Sequence, residues 1–228
     1  MKSFNASEKY VSIVPVRKGS KGLKNKNLRE LNGVPLYLIA VNQALRLTNK
    51  CILSTDIEEI FNNKPPRNCY IHKRRKELCQ DSTRMNQVIN NIINEMHLIN
   101  SDVLLLQATS PLRKDSDIQN CMKLFSKKKY SMLLSVNKAN SDILKHGTVD
   151  KSGFFRGLRD TKDCFANRQD LPTLFKPNGS IYIFNTKEFI KSNDFPINSI
   201  GIYEMPRERS IDIDNESDFE KVSTFMNI

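Results

Sequence analysis

The chain has 228 residues, of which 39% are hydrophobic and 27% charged, a mixture that excludes a disordered polymer and suits one large domain with a sizeable core. Its 36 Lys and Arg against 25 Asp and Glu leave a net charge of +11, which fits a nucleic acid or a small phosphorylated or carboxylated substrate equally well. No apolar run approaches the roughly 20 residues that span a bilayer, and the opening MKSFNASEKY lacks the apolar stretch of a secretory leader, so a cytoplasmic protein without a membrane partner is expected.

In chain order, 11–16 (VSIVPV) reads as a buried strand, because it is apolar, rich in β-branched residues and ends in a polar, glycine-containing stretch at 17–27. Residues 35–47 recur at three- and four-residue spacing behind Pro35, which predicts a first helix. A strand at 51–56, a short helix at 57–61 and a strand at 68–72 follow. At 84–99, Met85, Val88, Ile89, Ile92, Ile93 and Met96 make one broad apolar stripe, the pattern of a helix packed on a sheet.

The nearly all-apolar 103–107 predicts a central parallel strand covered on both faces, with 117–127 as its partner helix and 131–136 as the next strand. Residues 137–176 break the rhythm with glycines, Pro172 and many charges, and are expected to form an inserted lobe or a subunit contact. Strands at 181–184 and 200–205 and a helix at 215–226 complete the chain. Strand–helix alternation of this kind predicts an α/β fold with a doubly wound, mostly parallel sheet, forming a single domain over 1–228, with ligands at the C-terminal ends of the strands.

Five scattered cysteines, Cys51, Cys69, Cys79, Cys121 and Cys164, suggest neither a disulfide framework nor a zinc site. His72, His97 and His146 show no ligand or triad spacing and receive no role.

Chemistry concentrates first in RKGSKGLKNKN, residues 17–27, where two glycines sit among five cationic side chains directly after the first strand. Glycine lets backbone N–H groups turn toward an anion, and Arg17, Lys21 and Lys26 can offset the charge that builds as a phosphoanhydride breaks. The spacing matches neither GxxxxGK[ST] nor GxGxxG, so neither a P-loop phosphohydrolase nor a dinucleotide-binding dehydrogenase is supported. The second concentration is IDID at 211–214: in a strand, Asp212 and Asp214 would face one ligand while Ile213 enters the core, a geometry that suits a hard divalent cation. The pair also argues against a noncatalytic basic protein bound to nucleic acid, because two carboxylates would repel a phosphate backbone.

RKGSKGLKNKNL with the following NGVPL resembles the signature of the CMP-sialic acid synthetases, the acylneuraminate cytidylyltransferases. The resemblance continues in order through STDIEEI, RKEL, LLLQATSPLR, RQDLP, KPNGSIYIF and SIDIDNESDF. It implies a Rossmann-like nucleotidyltransferase that moves CMP from CTP to the anomeric hydroxyl of an acidic keto-sugar with Mg2+. A close alternative keeps that chemistry on a legionaminic, pseudaminic or 3-deoxy-octulosonic-type acid.

By the same resemblance Arg17, Ser20, Lys21, Lys26 and Asn27 bind the triphosphate, Asn27 also approaches the base, and Arg74 faces the base's O2 acceptor. Gln107, Arg168, Lys176, Asn178 and Tyr182 belong to the sugar side, and Asp212 and Asp214 hold the metal. Four positions depart from the family pattern, the first being Arg75, which stands where proline is usual. Met85 stands where a serine helps read cytosine, Ala108 replaces proline, and Lys176 replaces an arginine, offering a point charge instead of a planar fork. Members of the family are usually homodimers in which an inserted lobe closes the partner's sugar site, so 137–176 and the 190–200 region are the expected contacts.

Overall fold

The computed structural model describes residues 9–127 and 129–226, and most of the polar opening stretch lies outside these described residues. Strand β1 (Tyr10–Pro15) is followed by the cationic loop, which ends in a 3-10 turn at Lys26–Leu28. A two-residue turn then joins β2 (Glu30–Leu31) to β3 (Val34–Pro35). Asn32 and Gly33 both have positive φ, 51° and 75°, as the primed hairpin turns demand. That hairpin points α1 (Leu36–Leu47) back across the sheet, with Pro35 as its N-cap.

Next come β4 (Cys51–Thr55), α2 (Glu58–Asn62), β5 (Cys69–Lys73), α3 (Met85–Glu95), β6 (Asp102–Leu106), α4 (Asp115–Lys127) and β7 (Met132–Ala139). Helix α3 stops short of the expected residue 99. His97 takes a left-handed φ of 53°, its N–H bonds the Asn94 carbonyl, and the N–H of buried Leu98 bonds the Ile93 carbonyl, which together form a Schellman stop.

Beyond β7 lies a small hairpin, β8 (Gly147–Val149) and β9 (Phe155–Gly157), among 3-10 turns at Ser141–Lys145, Thr161–Phe165 and Arg168–Asp170. β10 (Leu174–Asn185), α5 (Thr186–Ser192), β11 (Ile200–Glu204) and α6 (Glu216–Met226) finish the described chain. β10 is much longer than the expected 181–184, because its register shifts between Pro177 and Tyr182 and hides the alternation. Helix α5 has only seven residues, too few for a period to show, and is started by the Asn185 side chain accepting the Lys187 N–H.

The seven-stranded sheet runs β11-β7-β10-β6-β1-β4-β5. β1 pairs parallel with β4 and β6, β4 with β5, and β7 with β11, while β10 is antiparallel to both its neighbours. The mostly parallel, doubly wound sheet is therefore present. Adjacent residues such as Ile13 and Val14 feed opposite faces, Ile13 joining the core cluster that holds Ile89 and Ile92 of α3, and Val14 the one that holds Val41 of α1 and Ile118 of α4. No helix among the described residues is long and apolar enough to cross a membrane.

One expectation needs correction. Residues 211–214 pair with no strand among the described residues. Alternation survives nonetheless, because Ile213 is fully buried and its N–H is held by the Thr109 carbonyl at 2.9 Å, while Asp212 and Asp214 are exposed.

Candidate active site

Two clefts open beyond the C-terminal ends of the strands. The first, about 310 Å³, is lined by Arg17, Ser20, Lys21, Gly22, Lys26 and Asn27 of the cationic loop, by Arg74 and Met85, and by Gln107–Thr109 and Asp214. The second, about 470 Å³, is lined by Asn137–Ala139, Lys176–Gly179, Tyr182, Ser210, Asp212 and Asp214. Asp214 lines both, which makes it the shared wall.

The cationic loop is held from several sides. Arg17 Nη2 donates to Asp81 Oδ1 at 2.6 Å and Nη1 to the Cys79 carbonyl at 3.3 Å, while Lys21 Nζ reaches Asp81 Oδ2 at 2.6 Å. Lys21 and Arg17 together hold the Asp81 carboxyl below its ordinary range. Lys26 Nζ donates to the Ile213 carbonyl at 2.6 Å and to Asp214 Oδ1 at 3.1 Å. A Cβ on Gly22 would collide with the Asp214 carbonyl oxygen, so only glycine lets the loop approach this segment. Asn27 is buried and its Nδ2 donates to the Arg17 carbonyl at 3.0 Å, so it also braces the loop.

Deeper in the cleft, Arg74 is buried beside the end of β5, its Nη2 donating to the Ser54 carbonyl at 3.1 Å. Met85 faces the same cleft at the start of α3. Gln107 lines this first cleft, not the second. Its carbonyl accepts from Arg113 Nη1 at 2.8 Å, and the same nitrogen donates to the Ser180 carbonyl at 3.0 Å. Arg113 thereby ties the end of β6 to β10, between the two clefts.

The second cleft is braced by Asn178. Its Oδ1 accepts from Ser135 Oγ at 2.6 Å and from the Ser180 N–H at 3.2 Å, and its Nδ2 donates to Ser210 Oγ at 3.1 Å. Most of that amide is thus spent on the wall. Burial, followed by the nearby Asp212 charge, raises the Tyr182 hydroxyl above its usual value. Lys176 makes no ion pair among the described residues. Arg168 sits in the exposed 3-10 turn of the lobe and lines neither cleft of its own chain.

Asp212 and Asp214 come together as the alternation implies. Loss of water around Asp212 raises its carboxyl, a Thr109 hydrogen bond opposes this, and Asp214 and Asp218 add to the rise against Lys26. Hard oxygen donors crowded this way fit a divalent cation that keeps waters and phosphate oxygens as its other ligands, although no group of three His, Cys, Asp or Glu stands ready among the described residues. Sequence reasoning missed Asp81 and Ser135, lone polar residues without a motif signal, and gave no role to Thr109 and Ser210, although they lie in the LLLQATSPLR and SIDIDNESDF segments.

A cationic loop after the first strand thus stands next to a paired-carboxylate wall that is shared with a second cleft. The chain belongs to the cytidylyltransferase family, whose profile matches residues 11–226. It is 30% identical over 215 residues to an N-acylneuraminate cytidylyltransferase of Streptococcus agalactiae serotype III, covering 92% of this chain and 52% of the relative. An Escherichia coli O18:K1:H7 protein of the same name is 30% identical, covering 95% of this chain and 52% of the relative. The chain thus spans about half the length of these curated relatives. Post-translational flagellin modification protein B of Campylobacter coli is 28% identical and is matched over 90% of both chains. Among solved structures, CMP:2-keto-3-deoxy-manno-octonic acid synthetase complexed with CTP superposes with a TM-score of 0.64 at 14% identity, covering 96% of this chain and 99% of that one. This last likeness speaks for the fold. The sequence resemblance holds at family level.

Proposed function

We propose that the chain transfers CMP from CTP to the anomeric hydroxyl of an acylneuraminate-like keto-sugar acid. The observation that carries this reading is the pair of clefts sharing Asp214, with loop cations in one and, in the other, a cleft of about 470 Å³ where Lys138 and Lys176 stand with Asp212 and Asp214. The sugar hydroxyl oxygen forms the new bond to the α-phosphorus, the bond from that phosphorus to the bridging oxygen breaks, and pyrophosphate leaves with the electron pair while the hydroxyl proton is released.

Arg17 and Lys21 exchange Asp81 for phosphate oxygens, and Lys26 stays beside Asp214. Positioning and charge stabilisation supply most of the acceleration in such transfers. Asp212 and Asp214 would hold Mg2+, which when bound shields phosphate charge and acidifies a neighbouring hydroxyl. Lys176 and Tyr182 face the sugar, with Gln107 at the boundary. Arg168 serves the site from a partner subunit: the lobe that carries it exposes Phe154, Phe155, Leu158 and Phe165, which a homodimer would cover.

The test is pyrophosphate release from CTP and Mg2+ across a panel of nine-carbon and eight-carbon keto-sugar acids. We expect turnover with an acylneuraminate, and silence with every sugar would sink the reading. A related acid such as legionaminic or pseudaminic acid is the second reading, favoured by Lys176, which offers a point charge where the family pattern has an arginine.

A further inference from the structure

Behind Arg74 runs a chain of polar groups, buried at Ser54 and His72 and reaching the surface at Glu95, none of which lines either cleft. Ser54 on β4 and His72 on β5 are register partners on neighbouring parallel strands, and both are buried. Ser54 Oγ lies 3.1 Å from His72 Nδ1, and His72 Nε2 lies 2.9 Å from Glu95 Oε2 at the end of α3. Glu95 Oε1 is held in turn by Arg75 Nε at 2.7 Å and Asn91 Nδ2 at 2.9 Å. At the other end Arg74 Nε donates to Ser54 Oγ at 3.4 Å, and Nη2 to the Ser54 carbonyl.

We propose that Ser54, His72 and Glu95 act as positioning residues that fix the Arg74 guanidinium at the base end of the nucleotide cleft and so set which base is accepted. The inference rests on the reading of Arg74 as the base-facing residue. It is not a nucleophilic triad, because Ser54 has no exposed surface and none of the three lines either cleft.

The donor count runs in one direction only. Glu95 is a carboxylate and accepts from Nε2–H, which leaves Nδ1 unprotonated to accept from the Ser54 hydroxyl, whose oxygen then accepts from Arg74 Nε. Burial first, and the Arg74 and Arg75 charges after it, lower the His72 pKa against the pull of Glu95, which keeps the imidazole in this neutral form. With Nε and Nη2 engaged by Ser54, Nη1 makes no hydrogen bond among the described residues and is the donor left for a ligand. Cytosine offers acceptors at O2 and N3, whereas uracil carries N3–H. A guanidinium held in place therefore discriminates between them, and one free to swing does not.

The experiment compares steady-state pyrophosphate release from CTP and from UTP, with circular dichroism melts, for the wild type, Ser54→Ala, His72→Leu, His72→Gln and Arg74→Met. Ser54→Ala and His72→Leu are expected to raise the KM for CTP about tenfold with kcat within about twofold, and to narrow the CTP preference. His72→Gln keeps an acceptor toward Ser54 and a donor toward Glu95, and is expected to restore near wild-type preference. The proposal is overturned if Ser54→Ala and His72→Leu leave both KM and preference unchanged, or if they lower kcat and melting temperature together without moving the preference. If Arg74→Met alone abolishes the preference, the relay fails and the reading of Arg74 stands. An Arg74→Met enzyme with unchanged preference overturns that reading itself.

Discussion

The two clefts are built on different plans. The nucleotide side is crosslinked by charge, with Arg17 and Lys21 on Asp81, Lys26 on Asp214 and Arg74 on Ser54. The sugar side is framed by neutral amide and hydroxyl contacts around Asn178, and its Lys176 is unengaged among the described residues. On the proposed reading the first plan suits a constant ligand, whose phosphates would replace the Asp81 carboxylate already in place. The second leaves room for substituents to vary between relatives without disturbing the phosphate loop.

The severest way to break this contrast is at its shared wall. Asp212→Asn or Asp214→Asn is expected to lower Mg2+-dependent turnover by at least about a hundredfold, read as pyrophosphate release against metal concentration. Wild-type turnover in either variant would remove the metal assignment.

Next in size is the buried clamp below the sugar side. Asp117 is wholly buried and receives Arg209 Nη2 at 2.7 Å and Nε at 3.0 Å, which fixes the segment leading to Asp212. Asp117→Asn is expected to cost about 3 kcal/mol in urea unfolding. Burial pushes this carboxyl up, but the Arg209 hydrogen bond, the Lys114 N–H and Tyr203 outweigh it and leave it below its usual value. Its contribution is therefore complete above the ordinary carboxylate pKa of about 3.9 and disappears as pH falls through the lower folded value. The stability gap between wild type and variant should accordingly stay constant from neutral pH to about 4 and close below it.

A smaller effect sharpens the contrast. Lys176→Arg should change the ranking of keto-sugar acids by about tenfold, because a fork replaces a point charge, and leave the KM for CTP alone. The smallest concerns the loop. Asp81→Asn should tighten nucleotide binding by about twofold at physiological salt, with a larger gain at low ionic strength, since these pairs are surface-exposed. Weaker binding in that variant would mean that Asp81 orders the loop more than it competes for it.

Much of this was legible because the signals were local. Arg17, Ser20, Lys21, Lys26 and Asn27 are contiguous after an apolar strand, and all five line one cleft. The exposed carboxylates flanking buried Ile213 were legible from alternation even though no strand forms there, because a single bond to the Thr109 carbonyl replaces the ladder. Asp81, Ser135 and Ser210 were not legible, since each meets its partner only through long-range packing. His72 was assigned no role because its partners, Ser54 and Glu95, lie 18 and 23 residues away. The turn Asn32–Gly33 was legible in principle, as the Asn-Gly pair is a strong hairpin signal, but the flanking strands of two residues each were too short to show a period.

The contact of Gly22 with the Asp214 carbonyl and the reach of Lys26 to Ile213, 187 positions away, have a consequence for the order of assembly. Arg29 extends the same tie to Glu216 at the head of α6, at 3.1 and 2.6 Å. The phosphate-facing loop emerges early during synthesis but gains its backing only when residues 213–216 arrive. A chain interrupted before residue 213 would lack this backing, so the cationic loop and the carboxylate segment form one long-range unit.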